Sequence, residues 1–406
     1  MDVDRILQLD NLAGEEIKKY KKRRFIYSTL KTTEGRPFVA IIGPRGVGKT
    51  IILRQMRNTC ENGLYISADT LSSETSLAEI VHYFSANMGI TDFFIDEIHF
   101  TKKYAADLKE LYDFTSANIW FSSSVALSLH TSVWDLSRRV QTVYLLPFSI
   151  REYLFFRYNK YTDPLSVQSA LFKPLSSEYL RGIQYFDEYM KGALYPFLLE
   201  PGATFEQFPQ IIKKIIHNDI PNFEPQLTIE DISLIEKTLT FIGKSPIDGI
   251  NYSSISRNIG ITKYKAEKYL SLLEKSFLVK QVFPKGTNVL REPKVFIELP
   301  YRLAYREYEA CIGELREDFF ALAALQHGID FSYVKTTRGK KTPDFIVEIE
   351  DKNVVIEIGG PGKGRTQFKG VSYDQKIVLF HSTSGRQKDF RPNPGSFVPL
   401  HCLGFA

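Results

Sequence analysis

One short loop constrains the fold of this 406-residue chain more than any other part of it. Residues 43–50 follow the spacing G-x-x-x-x-G-K-[ST], between an apolar run at 38–42 and an amphipathic stretch at 51–56. Glycines at this spacing let consecutive backbone N–H groups surround phosphate oxygens, and the N-terminus of a following helix adds a positive dipole end. The sequence therefore predicts an α/β domain built on a strand, a phosphate-binding P-loop and a helix.

The whole loop and the residue after it are predicted to hold a nucleotide. In this pattern the lysine side chain reaches the β- and γ-phosphates, and the hydroxyl of the next residue binds Mg²⁺. ATP and Mg²⁺ are therefore the expected ligands, and a merely tight strand–helix turn is the alternative. The residues predicted to bind the nucleotide are Gly43, Pro44, Arg45, Gly46, Val47, Gly48, Lys49, Thr50 and Ile51.

Further apolar runs indicate a parallel sheet that is covered on both faces. Asp96 and Glu97 end one of these runs, at the edge of the sheet where open α/β folds bind ligands. We predict that Thr50 and Asp96 hold Mg²⁺, the carboxylate through water, and that Glu97 polarises the attacking water. The alternative is a surface-exposed acidic pair. The runs lie at 63–66, 92–95, 119–121 and 142–146.

Two shorter polar segments flank the last two of these strands. Ser122 follows the strand at 119–121 and is placed to contact the γ-phosphate or the attacking water, with a capping serine cluster as the alternative. Arg138 and Arg139 precede the strand at 142–146. An arginine there would act as a finger, in cis or from a neighbouring subunit, and a solvated basic pair is the alternative.

These motifs, together with residues 137–139 and 146–154, resemble those of the prokaryotic AAA-type P-loop ATPases. The similarity is to the subgroup with a C-terminal PD-(D/E)-x-K nuclease-like domain of uncharacterised role, and it extends over residues 26–357. The resemblance implies Mg²⁺-dependent hydrolysis of ATP to ADP, and it makes Arg139 the matching arginine. The catalytic residues expected from the motifs and the resemblance are Lys49, Glu97, Ser122 and Arg139.

The chain divides by its pattern into four predicted domains. Helical and strand-like stretches alternate in the first, helices dominate the next two, and strands return in the last. The expected architecture is a P-loop NTPase with a parallel sheet and a helical lid, followed by a winged-helix-like domain and a small nuclease-like α/β domain. The predicted boundaries are 1–150 for the P-loop domain, 151–223 for the lid, 224–290 for the winged helix and 291–406 for the nuclease-like domain.

The third domain has the pattern of a helix–turn–helix. Residues 253–260 and 261–270 fit the two helices, with Gly260 in the turn and Thr262 as the N-cap, and residues 278–283 fit a wing. One interpretation is contact with DNA in a major groove. The other is a domain that packs against the ATPase and relays its state.

The last domain contains three carboxylates that its pattern brings together. Asp344 opens a strand and faces Glu357 on the next strand if the hairpin closes at residues 350–351. With Glu317 from an amphipathic helix, these groups would hold a divalent metal. The set resembles a PD-(D/E)-x-K core, but Gly359 stands where that core has lysine. We therefore predict a degenerate domain with a vestigial metal site.

Three interpretations of this domain stay open. A degenerate fold would bind DNA or a partner, whereas a purely structural domain would bind neither. An active nuclease would need Lys363 or Arg365 to replace the lysine, from a glycine-rich loop with the content of an anion cradle. The function expected of that nuclease is metal-dependent strand cleavage.

Charge and composition narrow the choice of partners. The net charge is +5, with basic runs at 18–24 and across 335–391, where twelve Lys/Arg stand against seven Asp/Glu. These runs are either solvated faces or surfaces for double-stranded DNA. Three cysteines fit no metal or disulfide spacing, and no apolar run is long enough to span a membrane, so we expect a cytoplasmic protein.

The sequence favours an ATPase whose cycle acts on DNA through its basic C-terminal domains. A second hypothesis is a slowly hydrolysing signalling module that acts on protein partners. A homo-oligomer of the chain is a separate candidate assembly. A third is a nuclease effector. Binding of duplex DNA and metal-dependent strand cleavage distinguish the three.

Overall fold

The computed structural model describes residues 2–31, 38–72, 74–126, 138–286, 292–334, 343–359, 373–381 and 392–406. These residues form two compact units. The first consists of Met1–Pro147, Lys213–Leu227 and Lys275–Phe277. The second consists of Phe148–Ile212, Thr228–Glu274 and Leu278–Ala406. The stretch Lys213–Leu227, called the return segment below, therefore belongs with the P-loop rather than with most of the predicted lid.

Helices account for much of both units. In chain order the α-helices of the described residues are α1 Val3–Glu16, α2 Tyr27–Lys31, α3 Lys49–Arg57, α4 Leu77–Met88, α5 Tyr104–Phe114, α6 Ile150–Tyr158, α7 Val167–Phe172, α8 Ser177–Leu180, α9 Ile183–Glu188, α10 Gln207–Lys214, α11 Ile220–Phe223, α12 Ile229–Lys244, α13 Tyr252–Ile259, α14 Lys263–Lys275 and α15 Tyr308–Gln326. Short 3₁₀ turns and two π-helical turns, Tyr189–Ala193 and Ile215–Asp219, join them. None of these helices is both long and apolar enough to cross a lipid bilayer.

The first unit contains a five-stranded parallel sheet in the order β2-β3-β4-β1-β5. The strand after which the P-loop begins is central, and it pairs with β4 on one side and β5 on the other. Strands β1 and β3 are almost wholly buried because helices cover both faces, as the continuous apolar runs predict. The bounds are β1 Phe38–Ile42, β2 Gly63–Ser67, β3 Asp92–Asp96, β4 Asn118–Ser123 and β5 Val140–Tyr144.

The edge strand of this sheet differs from the prediction. Strand β5 begins two residues before the predicted run and ends before Leu145, and most of its residues are partly or fully exposed. The backbone N–H of Leu145 donates to the Ile42 carbonyl oxygen, which is the last rung of the parallel ladder between β5 and β1. Leu145 therefore lies beside the start of the P-loop.

The second unit begins its described strands with the hairpin of β6 Val279–Val282 and β7 Lys294–Ile297. Helices α13 and α14 precede it, joined at Gly260, whose φ of 77° lies in the left-handed region that favours glycine. The Thr262 hydroxyl accepts a hydrogen bond from the Lys265 backbone N–H, which is the contact expected of an N-cap. The helices, the turn and strand β6 lie where the sequence predicts them, whereas the partner strand β7 lies in the stretch predicted to belong to the next domain, and a winged-helix domain stays a prediction.

A second, mixed sheet of order β12-β11-β10-β9-β8 completes this unit. Strands β9 and β10 pair antiparallel in the predicted register, with Ile356 opposite Phe345, and their hairpin turns at Glu350 and Asp351. Both turn residues have positive φ, which a two-residue hairpin of this hand requires. The bounds are β8 Phe331–Ser332, β9 Phe345–Ile349, β10 Lys352–Gly359, β11 Gln375–Phe380 and β12 Phe397–Pro399.

Candidate nucleotide site

The P-loop connects β1 to α3 and depends on its glycines. Gly46 and Gly48 have φ values of 84° and 93°, which L side chains rarely adopt. Gly43 needs to be small for a different reason, because a Cβ there would lie 2.0 Å from the Leu145 carbonyl oxygen. The loop can therefore present backbone N–H groups to a phosphate only with these residues at these positions.

One arginine of the N-terminal basic run supports this loop from inside. Arg24 is buried, and it donates hydrogen bonds of 2.8 Å to the carbonyl oxygens of Val47 and Leu146. Two lysines of the same run form ion pairs with acids one turn away, Lys18 with Glu15 among them. Much of the run that suggested a DNA-facing surface therefore makes contacts within the first unit.

Lys49, the predicted phosphate ligand, opens helix α3 and is buried. Its Nζ donates hydrogen bonds of 2.8 and 2.9 Å to the carbonyl oxygens of Gly43 and Pro44. Burial lowers the pKa of the ammonium, against the attraction of the nearby Glu97 carboxylate. A polyphosphate would supply the negative charge that favours the protonated lysine.

Asp96 lies at the carboxyl end of β3, beside the predicted magnesium ligand. The Thr50 hydroxyl forms a side-chain hydrogen bond with its carboxylate, and Tyr65 and Ser122 also donate to it, the tyrosine at 2.9 Å. Burial and then repulsion from Glu97 raise the pKa of Asp96. A hydroxyl beside a buried carboxylate is oxygen chemistry of the kind that Mg²⁺ prefers, so the residues present fit this ion.

Glu97 follows directly and has a backbone that few residues adopt. Its φ of 51° turns the chain out of β3, and its carboxylate accepts a hydrogen bond of 3.2 Å from the Ser124 backbone N–H. Burial raises the pKa of this group, but attraction to Lys49, then to His99 and Arg45, outweighs burial and lowers it. The side chain is therefore a carboxylate at neutral pH and can accept a hydrogen bond from water.

Ser122 joins the two acids. Its hydroxyl donates to Asp96 and accepts a hydrogen bond of 2.9 Å from the Glu97 backbone N–H. The serine is fully buried at the end of β4. Its hydroxyl proton is thus engaged by a carboxylate in this structure, and the contacts indicate that Ser122 orients the acidic pair.

His99 is buried behind Glu97. Its Nδ1 lies 3.2 Å from the Ser123 hydroxyl oxygen and 3.4 Å from Glu97 Oε2. Its ring packs against Phe100 and against Phe223 of the return segment, with ring centroids 4.6 and 5.0 Å apart. Burial lowers the pKa of the imidazole, which is therefore neutral at pH 7.

The P-loop residue Arg45 forms the contact that sequence analysis missed. Its Nε and Nη2 donate to the two carboxylate oxygens of Asp219, at 2.5 and 2.7 Å, and its Nη1 lies 3.8 Å from Glu97 Oε1. Asp219 belongs to the return segment and is wholly buried. The signal was present in the sequence, since Asp219 occupies an apolar-face position among the isoleucines at 212, 215, 216 and 220.

Arg139 lies elsewhere. It immediately precedes β5 and forms a bidentate ion pair with Asp113 at the end of α5, with distances of 3.0 and 2.9 Å. Because β5 runs parallel to β1, Arg139 is at the amino edge of the sheet, roughly 16 Å of strand away from the P-loop edge. The structure therefore does not bring Arg139 to the site of its own chain, and only a role in a neighbouring subunit stays open.

The three carboxylates of the second unit were predicted as a vestigial metal site. Asp344 Oδ2 accepts a hydrogen bond of 2.7 Å from the Ile358 backbone N–H, so Asp344 lies next to Glu357, in agreement with the predicted register. Burial and then repulsion from Asp344 raise the pKa of Glu317 well above its usual range. Within the described ranges, no three His, Cys, Asp or Glu side chains are grouped closely enough to hold a metal ion. The loop with Lys363 and Arg365 lies outside those ranges.

A cation that the sequence did not predict accompanies these acids. Lys294 of β7 lies 2.6 Å from Asp248. Burial lowers the pKa of Lys294, but attraction to Asp248, Glu317 and Asp344 raises it overall. No spacing signal connects β7 with the carboxylates, because strand β7 and helix α15 meet only in the folded unit.

The match to a known protein family agrees with the P-loop fold of the first unit. Residues 35–154 match the family model described as "AAA domain", and residues 185–297 match a model described only as a domain of unknown function. An uncharacterized protein of Methanocaldococcus jannaschii is 26% identical over 384 residues, covering 84% of this chain and 80% of that protein.

Solved structures give a weaker likeness. The Aeropyrum pernix ORC1 protein, solved in complex with DNA, is 12% identical with a TM-score of 0.32. The match covers 77% of this chain and 93% of the ORC1 chain. The Hsp104–ADP complex of S. cerevisiae is 16% identical with a TM-score of 0.31, and the match covers 64% of this chain and 40% of the Hsp104 chain. The family match and the site geometry together support an AAA-type P-loop ATPase domain in the first unit.

Proposed function

We propose that this chain binds ATP in its P-loop and hydrolyses it to ADP and inorganic phosphate. The observation that carries the proposal is the set of side chains at one edge of the sheet. There a buried lysine, a hydroxyl beside a buried carboxylate and a second, ionised carboxylate converge on the P-loop. These are the groups that phosphoryl transfer to water requires.

Each group has one task in this proposal. Lys49 neutralises charge on the β- and γ-phosphates. Thr50 and Asp96 would hold Mg²⁺, which when bound neutralises further charge on the same phosphates. Glu97 accepts a hydrogen bond from the attacking water while the bond between the γ-phosphorus and the β–γ bridging oxygen breaks. The bridging oxygen leaves on ADP, and the water oxygen stays on phosphate.

The decisive experiment separates binding from turnover. Glu97→Gln keeps the shape of the side chain but removes its charge, so we expect ATP binding to persist and steady-state turnover to fall about 10²- to 10⁴-fold. Lys49→Ala is the blank, because it removes a phosphate contact and should abolish both. Unchanged turnover in Glu97→Gln would remove this residue from the reaction.

We propose DNA and a protein as the two candidate targets of the cycle. The predicted DNA-facing helix α14 carries Lys263 and Lys265, but these lie 3.0 Å from Glu292 and Asp231 of the same unit. Phosphate contacts would have to replace those ion pairs. This observation favours the second candidate, a domain that relays nucleotide state to a protein partner.

Turnover with and without duplex DNA at low salt distinguishes the two targets. The relay predicts turnover that does not change with DNA and does not depend on Lys265. Stimulation that is lost at higher salt and in Lys265→Ala would instead support direct action on DNA. Lys109→Ala, a change on helix α5 outside the predicted winged helix, is the matched control.

A further inference from the structure

The ion pair of Arg45 and Asp219 is more than the P-loop needs to form its turn. A P-loop arginine lies between two carboxylates, one from the catalytic strand end and one from the return segment. Asp219 takes up two of its nitrogens in a bidentate pair. The third nitrogen, Nη1, lies at 3.8 Å from Glu97, beyond hydrogen-bond distance.

We propose that Arg45 contacts the γ-phosphate of bound ATP and that Asp219 is the positioning residue that holds it there. This inference rests on the proposed function. It gives the site an arginine from the same chain, and Arg45 takes the role that the sequence suggested for Arg139. It also makes the return segment the element that responds to the presence of the γ-phosphate.

The geometry supports a contact with the γ-phosphate in particular. Glu97 orients the water that attacks this phosphate, so a guanidinium nitrogen 3.8 Å from the Glu97 carboxylate lies within reach of the same reacting group. The planar guanidinium can keep its bidentate pair with one acid and still donate from its remaining nitrogen to a phosphate oxygen. The ADP product lacks the group that this nitrogen would contact.

The negative charge of Asp219 explains how this residue positions Arg45. Without that charge, Glu97 attracts the guanidinium of Arg45 more strongly than the other nearby carboxylate, Asp69, and the guanidinium would close the gap to Glu97. The carboxylate needed to orient water would then be engaged by an ion pair. Asp219 therefore keeps the guanidinium available to phosphate and keeps Glu97 available to water.

The return segment makes a second contact in the same place. Phe223 packs against His99, and His99 lies against Glu97. The segment thus contacts both the P-loop arginine and the neighbourhood of the catalytic acid. Loss of the γ-phosphate removes one partner of Arg45 and changes the charge balance at Asp219, which couples hydrolysis to this segment.

A second ion pair in the same unit serves as a control, because it stabilises the fold without lying at the nucleotide site. Arg57, at the other end of helix α3, forms a bidentate ion pair with the buried Asp10, with distances of 2.7 and 2.5 Å. The geometry is the same, but this pair is not beside the P-loop. Arg57→Ala and Asp10→Asn are therefore controls for the loss of a structural ion pair.

The test measures the affinities of the full-length chain for ADP and for a slowly hydrolysed ATP analogue, with Mg²⁺. For Arg45→Ala we expect the analogue to bind about 10- to 100-fold more weakly and ADP to bind within threefold of wild type, which is the loss of one charge-assisted hydrogen bond. Arg45→Lys keeps the charge but not the fork and should give an intermediate loss. Asp219→Asn should lower kcat about tenfold and leave ADP binding unchanged.

The controls should lower the thermal midpoint without changing the ratio of the two affinities. A ratio that stays at the wild-type value in both Arg45 variants, with ADP binding retained, would overturn the inference. If Arg45→Ala does not fold, Arg45→Lys and the near-isosteric Asp219→Asn decide the question. A wild-type chain that binds neither nucleotide would refute the proposed function instead.

Discussion

The two units each bring carboxylates together with a cation that is at least partly buried, with opposite electrostatic results. In the first, burial raises the pKa of Glu97, but attraction to Lys49, His99 and Arg45 outweighs burial and lowers it, so this side chain is charged at neutral pH. In the second, Lys294 is shared with Asp248, and the pKa of Glu317 is raised well above its usual range. The same residue types therefore give an ionised catalytic candidate in one unit and a proton-retaining acid in the other.

The difference lies in how each acid is partnered. Glu97 has two cations nearby and a backbone N–H that donates to its carboxylate. Glu317 has one oxygen, Oε2, that is buried and has no hydrogen-bond partner within the described part of the chain. A buried carboxyl group without such support keeps its proton, because desolvation disfavours the charged form. The comparison teaches that motif-like acids are informative only together with the charges around them.

The larger of the two effects expected from this contrast concerns the hydrogen bonds of the acids in the first unit. Ser122→Ala removes the hydroxyl that joins Asp96 to the Glu97 backbone, and we expect kcat to fall about tenfold through the loss of one buried hydrogen bond to each acid. Steady-state turnover with saturating ATP measures it. The KM for ATP should change little, because the hydroxyl orients the acids rather than the nucleotide.

Ser124 offers the matched control. It contacts Glu97 through its backbone N–H, whereas its hydroxyl is buried and has no hydrogen-bond partner among the residues that the structure describes. Ser124→Ala keeps that N–H, so its turnover should equal that of the wild type. Equal losses in the two variants would show that serine volume, and not the hydrogen bond of Ser122, matters at this strand end.

Much of the nucleotide site and of the hairpin in the second unit was predictable, because the residues that determine them are close together in sequence. The P-loop, the strand before it and the acids after β3 are continuous segments, and burial dictates apolar strands in a parallel sheet. The hairpin register that places Asp344 beside Glu357 follows from a two-residue turn. These features need no knowledge of distant contacts.

The remaining parts depend on pairings between distant segments. Asp219 reaches Arg45 only because the return segment packs with the P-loop inside the first unit, and no spacing rule predicts that pairing. Lys294 meets the second group of acids in the same way. The position of Arg139 was different, since a residue that precedes a parallel strand lies at the amino edge of the sheet, opposite the P-loop. Applying that topological rule would have predicted its place.

The smaller expected effect tests the second unit and concerns stability. Glu317 holds its proton in the folded chain well above pH 4.5, whereas the unfolded chain releases it near that pH. Between these two pKa values the folded state binds more protons, so wild-type stability falls as pH rises. Glu317→Gln cannot ionise, so at pH 7.5 we expect it to exceed wild type by about 1 kcal/mol or more in free energy of unfolding.

Thermal unfolding of the full chain at pH 4 and pH 7.5 measures this gain, which should be present at pH 7.5 and absent at pH 4. Glu348→Gln, on the exposed side of strand β9, is the control and should behave as wild type at both. The contrast between the two units is wrong if Mn²⁺ raises the thermal unfolding midpoint of wild type but not that of Glu317→Gln. In that case the acid gives up its proton to a metal, and the second group of carboxylates is a working cation site like the first.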